Sequence, residues 1–154
     1  MSSKSLEKEI VSQSTVIQTD GYDMSFGEIM NLYEDGELVI SPDFQRLYRW
    51  ESYQKSKFIE SILLGIPLPP IFVFQDDDNT WELVDGLQRL STLLEFSGKL
   101  RGPDGKVVAP TALIGTKRLP SLEGKMWAGK GEDALPRSRQ IAIKRSRSKR
   151  CFGS

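Results

Sequence analysis

The sequence predicts an α+β domain, on two observations. The first is a hairpin. The unbroken apolar run Ile71–Phe74 reads as a strand central in a sheet, Asp76–Asn79 as a solvated acidic turn, and Thr80–Val84 as the antiparallel partner. The turn lacks the spacing and the glycine of a calcium loop. The second is a set of three segments, opening at Ser25, Ser52 and Asp85, whose apolar residues recur at three- and four-residue steps, as on amphipathic helices. A chain of 154 residues, 38% hydrophobic and 27% charged, suits one domain with a modest core.

Taken in order, residues 1–20 are polar and predict a flexible lead-in, with a short strand over Thr15–Gln18. Ser25-Phe-Gly-Glu28 has capping-box spacing and opens a helix with Phe26, Ile29, Met30 and Tyr33 on one face. Leu38–Ile40 follows as a short strand. The irregular segment Ser41–Trp50 is dense in rings (Phe44, Tyr48, Trp50) and donors (Gln45, Arg46, Arg49), and reads first as a loop pinned to the core by its aromatics. The helix from Ser52 to Leu64 carries Phe58, Ile59, Ile62 and Leu63 inward, which leaves Glu60 off the stripe, first as a solvated carboxylate and otherwise as one facing a cleft. Ile66-Pro-Leu-Pro-Pro70 forces an extended connector into the first hairpin strand. A small hairpin is expected over Leu100–Val108 and one packed turn over Leu119–Trp127. The folded domain is thus drawn at 21–128. Residues 129–154 read as a basic, mobile tail, in which Ile141 and Ile143 are able to pair a short element with the core.

The candidate site is the stretch Trp81–Thr92. It reads as a strand, an Asp85-Gly86 turn and a helix to Phe96, with Leu87, Leu90 and Leu94 on one side and Asp85, Gln88, Arg89 and Thr92 on the other. Polar groups gathered at a helix start, where unpaired N–H groups and the positive dipole end favour an anion, point to a phosphate pocket. Arg89 adds a planar fork suited to phosphate oxygens. The competing reading is architectural: Asp85 as N-cap, and Asp85 with Arg89 as an i,i+4 pair contributing about 0.2–0.5 kcal/mol.

Composition narrows the chemistry. Histidine is absent, which removes His-dependent triads, imidazole zinc sites and His-metal nuclease motifs from this chain. Cys151 is the single cysteine, which excludes an intrachain disulfide, fits a reducing compartment and leads to the expectation of a cytoplasmic location without a membrane partner. Only carboxylate-type metal sites of the magnesium kind remain. Lys plus Arg (21) equals Asp plus Glu (21), so overall charge makes no case for nucleic acid, and no carboxylate–Lys nuclease constellation is evident.

Three linked motifs carry a resemblance: Pro42-Asp-Phe-Gln-Arg-x-Tyr-x-Trp50, Phe58-Ile-Glu-Ser-Ile-Leu-Leu-Gly-Ile-Pro-x-Pro-Pro-Ile71 and Asp85-Gly-Leu-Gln-Arg-x-Ser-Thr92. In this order over about Ile40–Phe96 they resemble the N-terminal domain of GmrSD-type, modification-dependent restriction endonucleases. The resemblance implies a ParB/sulfiredoxin-like α+β fold, a small mixed sheet with packed helices; the fading apolar pattern adds a disordered or loosely packed C-terminal tail. It also implies binding and hydrolysis of a nucleoside triphosphate with Mg2+ to control DNA cutting in phage defence. Carried over, Asp85, Gln88 and Arg89 are the catalytic candidates, Asp85 also for the metal, and Gln45, Arg46, Gly86, Arg89, Ser91 and Thr92 the nucleotide-binding ones. In these roles Gly86 backbone and Arg89 hold phosphate charge, Gln88 orients water, and Arg46 reaches in as a second cation. Leu87 stands where the family more often has Gln, and Ser91 where it has Thr; the first change loses an amide donor and the second keeps a hydroxyl. Family members continue into helical and nuclease parts, so the resemblance implies a truncated or split member. The expected partners are a nucleotide, DNA reached through a nuclease elsewhere, and further copies of the chain. The alternatives are a non-hydrolysing nucleotide sensor or protein-interaction module, and a DNA-nicking ParB-like domain.

Overall fold

The predicted hairpin and helices form around a mixed sheet whose middle strand is Ile71–Gln75, as its continuous apolar character implies. The structure, a computed structural model, describes residues 3–16, 19–129 and 131–153. Its main elements are α1 (Ser3–Val16), β1 (Thr19–Ser25), α2 (Phe26–Glu34), β2 (Leu38–Val39), α3 (Pro42–Gln45), α4 (Ser52–Leu63), β3 (Ile71–Gln75), β4 (Trp81–Asp85), α5 (Leu87–Phe96), α6 (Arg137–Arg145) and β5 (Arg147–Gly153). The sheet order is β1-β5-β3-β4-β2. β3 pairs antiparallel with β4 and parallel with β5, β1 antiparallel with β5, and β2 parallel with β4, so the sheet is mixed. This is an α+β architecture, as expected.

Local chemistry accounts for the helix starts. Ser25 caps α2, its Oγ accepting the Glu28 N–H at 3.2 Å, so the capping box forms as read. The Asp76–Asn79 turn is exposed and closed by Asp76, whose Oδ1 accepts the N–H groups of Asp78 and Thr80, each at 2.9 Å. The hairpin at Leu100–Val108 and the packed turn at Pro120–Leu122 are also present. One core gathers Phe26, Ile29 and Met30 of α2, Phe58, Ile59 and Ile62 of α4, Ile71, Val73 and Leu83 of the sheet, and Leu87, Leu90, Leu93 and Leu94 of α5.

Both ends of the chain carry further elements. The lead-in carries α1, in which Thr15 and Val16 of the expected strand are the last residues; residues 17 and 18 lie outside the described residues. Leu6, Ile10 and Val11 of this helix are exposed. At the other end, α6, which contains the Ile141 and Ile143 read as able to pair with the core, packs against the rest of the domain. Residue 143 explains why: Ile143 is fully buried on α6, Gln140 donates to the Trp127 carbonyl, and the Lys144 ammonium lies 5.8 Å from the Trp127 ring centroid. α6 packs on α2 so closely that a Cβ at Gly27 would lie 3.3 Å from Lys144 Cβ.

Ile143 therefore tests whether the C-terminal segment is integral. Ile143→Ala is expected to cost about 2–5 kcal/mol in urea denaturation. A chain whose residues beyond 129 are a mobile tail would lose less than about 0.5 kcal/mol.

Candidate functional site

The turn from β4 into α5 leaves no room for a side chain. Gly86 has φ 95°, and a Cβ there would stand 2.6 Å from Ile71 Cγ2 and 3.3 Å from Arg89 Nη2. Glycine is required twice over, for the left-handed backbone and for the close approach. Gly86 is also the N-cap, so the helix begins at Leu87 and Asp85 stays on the strand. Asp85 is consequently neither a helix cap nor an i,i+4 partner of Arg89, and among the described residues no ion pair joins them. It is exposed, and its Oδ1 accepts the Gly86 N–H at 2.9 Å.

Arg89 folds back over this turn. Its Nη2 donates to the Pro70 carbonyl at 2.9 Å, while its buried Nε has no hydrogen-bond partner among the described residues. A buried donor without an acceptor costs about 1–3 kcal/mol, so the guanidinium is disposed to gain from an anion. Arg89 lines an open cleft of about 470 Å³ together with Trp50, Tyr53, Gln54, Lys57 and Ser61 along α4 and its entry, and with the proline connector. Lys57 is exposed and in no ion pair among the described residues, so the cleft holds two uncompensated cations.

The other predicted residues are placed elsewhere. Gln88 is a clasp: its Oε1 accepts the N–H groups of Arg49 and Trp50, each at 3.0 Å, and its Nε2 donates to the Leu47 carbonyl at 2.7 Å. Thr92 is buried and donates to the Gln88 carbonyl at 2.6 Å; its one proton being used there, the Tyr48 hydroxyl donates to it across 3.2 Å. Burial pushes the Tyr48 phenol up, so it stays protonated as that donor. Ser91 is also interior, its Oγ unpartnered among the described residues. Gln45 donates to the Arg101 carbonyl, and Arg46 is exposed, 3.5 Å from Asp43. Neither lines the Arg89 cleft. The segment Ser41–Trp50 is thus pinned, as its aromatics suggested: Phe44, Tyr48 and Trp50 all pack against the core.

Several residues were not read as site or core components. Glu60, read as solvated, is buried and accepts the N–H groups of Arg118 and Leu119 at 3.1 and 2.9 Å. Lys55 and Glu95 form an ion pair at 3.0 Å, with the Lys55 ammonium 4.8 Å from the Tyr48 ring centroid. Tyr53, Gln54, Lys57 and Ser61 were legible in principle, since helical spacing gathers them on the face of α4 opposite its apolar stripe, with Trp50 just ahead of the helix. Among the described residues no group of three or more acidic or cysteine side chains is placed to hold a metal ion. A magnesium ion that keeps its waters needs only one or two carboxylates besides phosphate oxygens; Asp85 is exposed and is not among the residues lining the Arg89 cleft. No helix among the described residues is long and apolar enough to cross a membrane.

The fold and site thus define a small α+β domain with a cationic cleft beside a strand–Gly–helix turn. The chain matches the family model for the N-terminal domain of the GmrSD restriction endonuclease over residues 26–150 and belongs to that family. The match spans α2 through α6 and most of β5. No curated protein and no solved structure gave a match.

The clasp assigns Gln88 a measurable structural role. Gln88→Ala leaves two N–H groups and one carbonyl of residues 47–50 without their partner, and a loss of about 1–3 kcal/mol in urea denaturation is expected. Faster amide exchange at Arg49 and Trp50 should accompany it. Unchanged exchange at both amides would remove the clasp.

Proposed function

We propose that this domain is the regulatory, nucleotide-binding part of a DNA-restriction system, taking the phosphates of a nucleoside triphosphate at Arg89. Membership of a restriction endonuclease family supports the setting. The observation that carries the binding is Arg89 itself: a guanidinium fixed by one bond to Pro70, with a buried unpaired N–H, on the wall of a cleft that also holds Lys57. Both cations favour a polyanion, and arginine matches phosphate oxygens in a planar fork. Asp85 is the carboxylate for Mg2+, which when bound would neutralise phosphate charge. Hydrolysis of that triphosphate, and control of DNA cutting by a nuclease domain or subunit, complete the proposal.

A second reading, binding without turnover, is favoured by one specific observation. Gln88, the candidate for orienting water, has both ends of its amide engaged with loop backbone. In this reading the cleft senses a nucleotide and signals to an effector. Steady phosphate release from the Mg2+ complex separates the two.

Arg89→Ala should abolish the rise in melting temperature produced by nucleoside triphosphate with Mg2+, because a ligand that binds only the folded state stabilises it by mass action. The variant without ligand should keep its fold, and Arg89→Lys should restore charge but not bidentate geometry, recovering only part of the shift. A full shift with Arg89→Ala would exclude the cleft as the phosphate site.

A further inference from the structure

The wall of the cleft formed by α4 is graded in chemistry along the helix. Trp50 stands just before its start and Tyr53 in its first turn, then come the amide Gln54, the cation Lys57 and the hydroxyl of Ser61. Residues four apart on a helix have neighbouring side chains, so Tyr53 and Lys57 adjoin on the same face, about 5–6 Å apart at Cβ. Trp50 is held in place by an edge-to-face contact with Phe58, at 5.8 Å between centroids. Tyr53 is different: it is 57% exposed, and its hydroxyl has no partner among the described residues. Gln54 is half committed. Its Oε1 accepts the Glu51 N–H at 2.9 Å, which aims the carbonyl at the helix start and leaves its NH2 without a partner among the described residues. A planar exposed ring, a free amide donor and then two cations make a sequence of contacts suited to a ligand that is flat and polar at one end and anionic at the other.

We propose that Tyr53 and Gln54 form the base subsite of this cleft. Tyr53 stacks on the base, the Gln54 NH2 donates to an acceptor on the base edge, and Lys57 joins Arg89 on the phosphates. The inference rests on the nucleotide-binding reading and adds to it where the base lies and in which direction the ligand runs along α4. Stacking tolerates every base, because each has a π-face, and every base edge carries an acceptor for one NH2 group. The subsite therefore distinguishes a nucleotide from a bare polyphosphate more than one base from another.

The test is calorimetric titration of the full chain, with Mg2+, by the four common ribonucleoside triphosphates and by inorganic triphosphate. Wild-type protein should bind the nucleotides more tightly than inorganic triphosphate. Tyr53→Ala should weaken nucleotide binding roughly 10- to 100-fold, the range of a lost base–aromatic stack, and leave inorganic triphosphate unchanged. Tyr53→Phe, which keeps the ring, should bind as wild type, and Lys57→Ala should weaken both ligand classes. If wild type binds nucleotides but Tyr53→Ala is neutral, or weakens both classes equally, the subsite is overturned while the nucleotide reading stands. Equal wild-type affinity for inorganic triphosphate overturns it as well. If wild type binds none of these ligands, the nucleotide reading fails and takes the subsite with it. Melting of each variant, expected within a degree or two of wild type for an exposed residue, separates lost contact from lost fold.

Discussion

The architecture depends on one close approach, that of Gly86 to Ile71. β4 ends, the chain turns through a left-handed residue, and α5 begins against the first residue of β3 with no space for a Cβ. An L side chain at this position meets both a backbone penalty of about 1–2 kcal/mol and a clash with a core residue. The same approach sets the site. With α5 this near to β3, Arg89 in its first turn reaches back across Gly86 to the Pro70 carbonyl, and its guanidinium ends at the cleft rather than in open solvent.

A second constraint is that α5 is buried on nearly all sides. From Leu90 to Phe96 each residue is buried, so Ser91, Thr92 and Glu95 face protein rather than water. Burying polar groups is costly unless they are hydrogen-bonded, and here they are bonded to the preceding segment: Gln88 to three backbone groups of residues 47–50, Thr92 to Tyr48, and Glu95 to Lys55. The polar residues of the Asp-Gly-Leu-Gln-Arg-Leu-Ser-Thr stretch thereby divide. Gln88 and Thr92 hold the Ser41–Trp50 segment onto the helix, Asp85 closes the turn and remains exposed, and Arg89 alone lines the cleft beside α4.

The C-terminal segment shows how much a backbone can do with few apolar side chains. α6 contributes a single fully buried residue, Ile143, and is otherwise attached through Gln140, Lys144 and the close packing against Gly27. β5 joins the sheet between β1 and β3, where main-chain hydrogen bonds, rather than an alternating apolar pattern, make the pairing. Sheet order here places the last strand of the chain beside the first, a long-range pairing that composition cannot report.

By itself the sequence determined what depends on local periodicity and turn chemistry. The capping box at Ser25, the amphipathic stripe of α4, the β3–β4 hairpin with its acidic turn, the glycine at the head of α5 and the family all follow from residues close together in the chain. It also singled out Arg89. Tertiary structure alone decided which polar residues face one another, because those partners lie some 40 to 60 positions apart: Gln88 with residues 47–50, Lys55 with Glu95, Glu60 with the N–H groups of Arg118 and Leu119. A polar face on a helical wheel is consistent with solvent, a ligand or a buried clasp, and the wheel holds no information about what packs against it. The cleft is likewise a product of packing, formed where α4, the proline connector and Arg89 meet: Tyr53, Gln54 and Lys57 share a helix face by sequence, but only the packing of α4 makes that face a cleft wall.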